Sequence, residues 1–542
     1  MTMFGSQWFA APDTTYEIDQ SARFNNGDSA YLNRTPGSAG NRRTWTWSGW
    51  VKRTILGSRY MFGATNTGTD SIGFASTGLL TIGFNNANDG VLQTTRLFRD
   101  VGAWYHIVVA VDTTESTAGN RIRLYVNGVE ETDFATDTAP SLNYDTGVNN
   151  TAQQTVGSLS GGSPSGFLDG YLAEVHLIDG SQLTAASFGE TNSNTGQWIP
   201  KAYSGSYGTN GFYLKFQDSS SLGDDTSGNG NDFTSNNLAA ADQMSDSPTN
   251  NHCTLNVLNK DADCTLTDGN LQVGWTSGTD PIICGTMAVS SGKWYYEATF
   301  TGTFNFPAVG IAPVELSFGG SAFASGNGAL FYYAPSGNYR GNGDNVSYGA
   351  EYFVSSKIGV ALNLDDNEIT FYKDNSSQGT LNLATIRSGY STWVPLLTGG
   401  GSIENIIVNF GQSDFEYTPP TGFNAWSVSN LADPAIADPS KYFHTQLYSG
   451  NGSSGHAITN DAHAGDFKPD WLVLSPRSNG DHHNALDAVR GSDKRIQTNN
   501  TTVEQTDDPA LITFESNGFD LDTTDVNYNG SGRTYASWQW ST

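Results

Sequence analysis

The run Thr44-Trp45-Thr46-Trp47-Ser48-Gly49-Trp50-Val51 sets the indole rings of Trp45 and Trp47 on one parity against the small polar Thr44, Thr46 and Ser48 on the other. A two-faced β-strand requires that alternation, because successive side chains point to opposite faces of the sheet. Trp104-Tyr105-His106-Ile107-Val108-Val109-Ala110-Val111 is apolar on both parities and suits a central strand covered on both sides. In Arg121–Gly128, Ile122, Leu124 and Val126 point one way, and Asn127-Gly128 supplies the positive φ angles of a tight hairpin. Composition agrees: 62 glycines, 37% hydrophobic residues and only 15% charged residues fit many short strands joined by Gly/Asn/Asp/Ser turns. The fold class expected is all-β, as tandem antiparallel β-sandwiches of the jelly-roll kind with very little helix.

At 542 residues the chain holds three or four domains' worth of sequence. An N-terminal arm, 1–19, contains Trp8, Phe9 and Tyr16, which could dock on a neighbouring protein or fold over the first block. The first sandwich is expected over 20–200, with a short helix at Leu183–Phe188 that Thr184 could cap. Residues 201–251 turn polar and read as a connector with one or two added strands, such as Gly211–Phe216. A second sandwich spans 252–431, with strands at Trp294–Ala298, Lys357–Asn363 and Glu368–Lys373. A small β-rich block, 432–542, has strands at Trp471–Leu474 and Tyr535–Trp540 and one turn of helix at Asn484–Arg490.

The net charge of −28 repels phosphate backbones, so nucleic acid is not an expected partner, and anionic membranes are disfavoured. No apolar run approaches the roughly 18 residues a spanning helix needs, so no membrane insertion is expected. The N-terminus lacks the basic and apolar regions of a signal peptide, and a chain made and assembled in a cytoplasm is expected. Cys253, Cys264 and Cys284 match no zinc spacing and read as small buried residues.

Several chemistries can be weighed residue by residue. Glycoside hydrolysis with retention needs two carboxylates about 5–5.5 Å apart; the nearest candidates, Glu131 with Asp133 and Asp366 with Glu368, flank hairpin turns where exposed acids are ordinary. No nucleophile elbow or His-Glu-x-x-His pattern occurs. His482-His483 reads as an exposed loop and His106 as a packed core histidine. No catalytic residue is assigned and no cofactor is required. Ca²⁺ is the one metal with a candidate site, at the oxygen-rich residues Asp224, Asp225, Asn229, Asn231 and Asp232, whose alternative is a plain Asn/Asp/Gly turn. An aromatic platform for a ligand such as a sugar is offered by Tyr332, Tyr333, Tyr339, Arg340 and Asp344, in a Gly/Asn-rich segment between strands.

Three resemblances add to this reading. Trp50-Val51-Lys52, the WYHIVVAVD run Trp104–Asp112, the RLYVNG run Arg123–Gly128 and Gly170–Val175 resemble the laminin-G-like, concanavalin-A-like jelly roll. Ser291–Phe300, Val309-Gly310-Ile311, Ile358–Asn375 and Trp393–Leu396 resemble a SPRY domain, a family that binds proteins through its loops. Tyr16–Ser21, Tyr31-Leu32 and Asn41–Lys52, with Asp470-Trp471, Asp487–Gly491 and the closing Tyr-Ala-Ser-Trp-x-Trp strand, are similar to a marine bacteriophage protein type that joins these domains in this order. That last resemblance implies a non-enzymatic virion protein, on the phage tail or capsid surface. It would be a tail fibre or receptor-binding component whose partners are other phage virion proteins and a host cell-surface glycan or protein. The alternatives are a head-fibre or capsid-decoration protein and a glycan-depolymerising tailspike. A homo-oligomer is expected, with a trimer one form, although no heptads enforce it.

Overall fold

The computed structural model describes residues 16–161, 163–193, 195–275, 280–304, 306–316, 324–399, 401, 403–434, 436, 438–460 and 467–541. Trp8 and Phe9 of the N-terminal arm lie outside the described residues. The fold is nearly all strand; among the described residues one four-residue α-helix occurs, at Leu383–Ile386.

Two eight-stranded antiparallel sheets form the first sandwich. One centres on Trp104–Asp112, Thr44–Arg53 and Gly170–Asp179, paired side by side. The other runs through Gly90–Leu97, Leu79–Phe84, Thr69–Phe74 and Arg59–Thr65. Trp45, Trp47, Ile107, Val109, Leu172 and Leu177 point from the first sheet into the buried cluster shared with Phe62, Ile72 and Ile82 of the second. The hairpin at Asn127-Gly128 has the expected positive φ angles, 47° and 84°. The connector is woven into this sandwich: Phe212–Leu214 and Gln243–Met244 join the first sheet, and Thr234–Asn236 joins the second. Its Asn and Asp side chains bond the backbone that a polar stretch leaves unpaired, which is how so hydrophilic a sequence stays ordered.

A second sandwich pairs a seven-stranded sheet, containing Trp393–Gly399, Pro307–Pro313 and Leu330–Tyr333, with an eight-stranded one containing Lys293–Phe304, Lys357–Asn363 and Glu368–Lys373. One buried cluster runs from Trp50, Trp104 and Tyr171 on the outer face of the first sandwich to Trp294, Tyr296 and Trp426 of the second. The described residues of Met1–Thr191 and Trp198–Ala432 accordingly form one compact unit. The second unit comprises Asn192–Gln197 with Asp433–Thr542. Its six-stranded sheet closes over the three-stranded sheet of His456–Thr459, Gly518–Leu521 and Ile512–Glu515. Tyr448, Leu472, Leu474, Phe519 and Tyr535 fill the space between them.

Both short helices expected from the sequence are corrected. Leu183–Phe188 makes only a 3-10 turn at Ala185–Ser187, without a side-chain cap from Thr184; Ala185 and Phe188 are drawn down onto the outer face of the first sheet. Asn484–Asp487 is a strand paired with Trp471–Pro476, and its three buried residues outweigh any helical preference. Asp487 then closes the following turn, accepting the Arg490 amide at 2.8 Å and its Nε at 2.6 Å.

Candidate functional site

Strand alternation divides the aromatic platform between two faces. Tyr332 opposes Tyr339, and Phe331 opposes Arg340, in the meander Leu330–Tyr333, Asn338–Gly341 and Asp344–Ser347. The segment expected to lie between strands is therefore itself three strands. Tyr332 is fully buried, and its hydroxyl donates to the Ala350 carbonyl. Tyr339 is half-buried against the same core and meets Tyr348 edge-on. Tyr333 lies on the other face, with the Arg340 guanidinium 4.6 Å from its ring centre and Phe306 stacked at 6.5 Å. Asp344 pairs at 2.5 Å with Arg387, a fully buried cation that also donates to the carbonyls of Ala329 and Gly341. The residues are brought near one another, but the Tyr332 hydroxyl, the Asp344 carboxylate and the Tyr333 ring already have protein partners.

The oxygen-rich loop is closed in the same way. Asp225 accepts from the amides of Tyr213, Ser227 and Asn231 and from the Ser227 hydroxyl. Asp232 accepts the Asp225 amide, and Asp224 accepts the Ser221 hydroxyl. Asn229 and Asn231 both donate to the Gly211 carbonyl. Among the described residues no group of three or more His, Cys, Asp or Glu side chains is placed to hold a metal ion. The two acid pairs are also separately engaged. Glu131 pairs with Arg96 at 2.8 Å and Asp133 takes the Thr95 hydroxyl, while Asp366 is held by Asn363 and Lys293. The backbone amides of His482 and His483 donate to different loop side chains, Asn527 and Asn499. The three cysteines are free and buried, and burial pushes the Cys253 thiol up to about 11.

The cluster richest in chemistry lies elsewhere, on the outer face of the first sheet. The strand Gly170–Asp179 carries a bulge between Ala173 and His176, with Glu174 at φ 49° in the left-handed region. The bulge turns the Glu174 carboxylate out beside His176 rather than into the core. Tyr16 donates to Glu174 Oε2 at 2.8 Å, Tyr213 to Oε1 at 2.5 Å, and His176 Nε2 stands 3.7 Å from Oε2. Burial alone would push this carboxyl up; the His176 contact and the two tyrosine hydroxyls more than offset it and hold Glu174 below its usual range. Burial and the adjacent carboxylate push the Tyr213 hydroxyl well up, so it stays a donor. The His176 ring stacks on Tyr213 at 4.2 Å, and its Nδ1 meets the Tyr207 hydroxyl at 3.1 Å. Two strands away, on Trp104–Asp112, His106 is packed between Trp50 and Trp198. Trp198 Nε1 donates to His106 Nδ1 at 3.0 Å, which leaves Nε2 to donate to Ser48 at 2.9 Å. Burial, with a smaller contribution from His176, drives its basicity down to about 3.

None of the residues singled out in the sequence as candidate ligands belongs to this cluster. Its signal was Ala173-Glu174-Val175-His176, an acid and a histidine inside a strand otherwise apolar on both faces. A second feature also needed the tertiary fold. A cleft of about 620 Å³ opens between the two sandwiches of the first unit, lined by Gln20, Arg23 and Gln243 from one side and Lys357, Asn409 and Glu416 from the other.

Comparison with known proteins agrees with this architecture. Residues 25–187 match the family described as the concanavalin A-like lectin/glucanases superfamily, so the first sandwich is a laminin-G-like domain. Residues 438–542 match a domain of unknown function, DUF7483. Solved structures similar to the chain include the SPRY domain of human HERC1, at 14% identity, covering 30% of this chain and 99% of that one with a TM-score of 0.26. A human SPRY domain matches at 15% identity, covering 28% and 97% with a TM-score of 0.23. A heptameric SAP-like pentraxin from Limulus polyphemus matches at 18% identity, covering 32% and 80% with a TM-score of 0.24. No curated protein matches the chain.

Proposed function

We propose that this chain is a non-enzymatic virion protein of a bacteriophage, a tail-fibre or receptor-binding component that adheres to a glycan or protein of the host surface. The observation that carries the non-catalytic half is the state of Glu174. Both of its oxygens are taken by tyrosine hydroxyls and an imidazole. Retaining hydrolysis would need a second carboxylate about 5–5.5 Å away with room for substrate between. The partners of Glu174, Tyr16, Tyr213 and His176 in the cluster are one another and aromatic rings, with no second acid among them. The cluster fastens Tyr16 and the Phe212–Leu214 strand to the sheet.

Binding then falls to outer surfaces, and the inter-sandwich cleft offers amide, carboxylate and cationic groups of the kind that bond sugar hydroxyls. Many copies on one particle would convert weak contacts into firm attachment through effective concentration. The virion and tail assignment rests on the sequence resemblance. Electron cryo-microscopy of the intact particle tests it. Density for the two-sandwich unit on the tail supports the reading, placement on the head supports a decoration role, and absence from the particle refutes both.

A further inference from the structure

Across three strands of the six-stranded sheet of the C-terminal unit, Phe443–Ser449, Thr534–Trp540 and Trp471–Pro476, the face turned away from that unit's core is apolar and is not covered within the unit. Register places Phe443, Trp540 and Trp471 side by side on the outer face. Thr445, Trp538 and Val473 form the next row, and Leu447, Ala536 and Ser475 the third. The alternate positions, among them Tyr448, Leu472, Leu474 and Tyr535, point into the core. A sheet with one solvated face ordinarily alternates apolar and polar residues. Here the outer positions leave Leu447 62%, Trp471 44%, Phe443 41%, Ile496 41% and Trp538 36% exposed. The rings are already arranged, with Trp471 and Trp540 stacked at 4.3 Å and Phe443 against Trp540 at 5.0 Å.

We propose that this face is a self-association surface, on which a second copy of the chain docks by the same face. The exposed apolar side chains amount to on the order of 500 Å², near the upper end of what monomers show, and a rim brings this toward the ~800 Å² per partner of a stable complex. Charge selects the occupant. The chain carries −28, so two copies repel wherever acids meet. None of the outer positions on Phe443–Ser449, Thr534–Trp540 and Trp471–Pro476 is charged, so two such faces meet without burying an ion. Charge enters only at the edge of the face, where Asp487 lies beside Trp471 and is already paired with Arg490. Two twisted sheets pack face to face about 10 Å apart with strands roughly 30° off parallel. A face docked on its own copy closes as a two-fold dimer rather than growing into a filament.

The test is sedimentation velocity on the full chain from about 0.1 to 50 µM, a range over which a self-associating chain of moderate affinity changes mass. The expected species is a dimer, twice the 58.0 kDa chain mass, that dissociates on dilution with a red shift of tryptophan emission. Leu447→Glu and, separately, Leu447→Lys change the most exposed of these side chains and are expected to weaken the dimer at least about tenfold while far-ultraviolet circular dichroism is unchanged. Mixing the two variants is expected to restore a mixed dimer. A monomer throughout the range, a trimer, or a dimer indifferent to both substitutions in folded protein would overturn the proposal.

Discussion

Lys52 Nζ lies 2.7 Å from Asp246 Oδ2, and neither side chain has any exposure to solvent. Lys52 also donates to Asn251 Oδ1 and the His252 carbonyl, and Asp246 accepts the Trp104 indole N–H, so every strong donor and acceptor of the pair is met. Lys52 and Trp104 belong to the first sandwich, while Asp246, Asn251 and His252 lead into the second. Removing one partner strands a buried charge. Lys52→Met is therefore expected to cost about 3–5 kcal/mol in urea unfolding, and the double change with Asp246→Asn markedly less than the sum of the two single changes. Additive losses would show that the pair does not act as a unit.

The strands themselves were legible in the sequence, because Trp45/Trp47 and Ile122/Leu124/Val126 announce their buried face by period alone. Asn127-Gly128 announced its turn because its residue types answer a local backbone demand. What escaped was everything set by distant partners. Lys52 meets Asp246 across 194 residues, and Glu174 meets Tyr16 across 158. Within Asn484–Arg490 a strand forms rather than the expected helical turn, and its four strand residues, with only Ala485 and Leu486 apolar, are too few to show a period. The five residues of the aromatic platform were legible as a neighbourhood, but not the alternation that sends Tyr332 inward and Tyr333 outward.

His106 stays neutral in the folded chain down to about pH 3, whereas an unfolded histidine takes up a proton near pH 6.5. The unfolded state therefore binds the extra proton between those values, and this histidine's contribution to stability falls as pH drops from about 6.5 toward 3, by up to ~1.4 kcal/mol per unit. His106→Asn removes that proton uptake. The stability difference between wild type and variant is expected to shrink as pH falls through this window in chemical denaturation, and a constant difference would disprove the assignment.

Asp70 runs the opposite way. Burial raises its carboxyl to about 6, although the amides of Asn85 and Gly147 bond it. The folded state then holds a proton that the unfolded state releases near pH 4, so stability is present below pH 4 and lost as pH rises to about 6. Asp70→Asn is expected to flatten that part of the profile. An unchanged slope between pH 4 and 6 would contradict it.

Asp225 accepts the amides of Tyr213, Ser227 and Asn231. Asp225→Ala is expected to lower stability by about 1–3 kcal/mol, and by the same amount with excess Ca²⁺ as with chelator. A loss seen only in Ca²⁺ would identify a metal site instead.

Tyr16→Phe deletes one donor to Glu174 and is expected to cost about 1 kcal/mol, while Glu174→Gln, which disturbs both tyrosines, costs more. The order of the two in urea unfolding checks the role of the cluster as a fastener.

The chain is proposed to bind a surface polysaccharide without cutting it. The direct measurement is incubation of the purified full chain with an array of bacterial surface polysaccharides, followed by assay of both bound protein and new reducing ends. Retention on at least one polysaccharide with its reducing ends unchanged is the predicted result. Release of reducing ends that disappears in Glu174→Gln would contradict it.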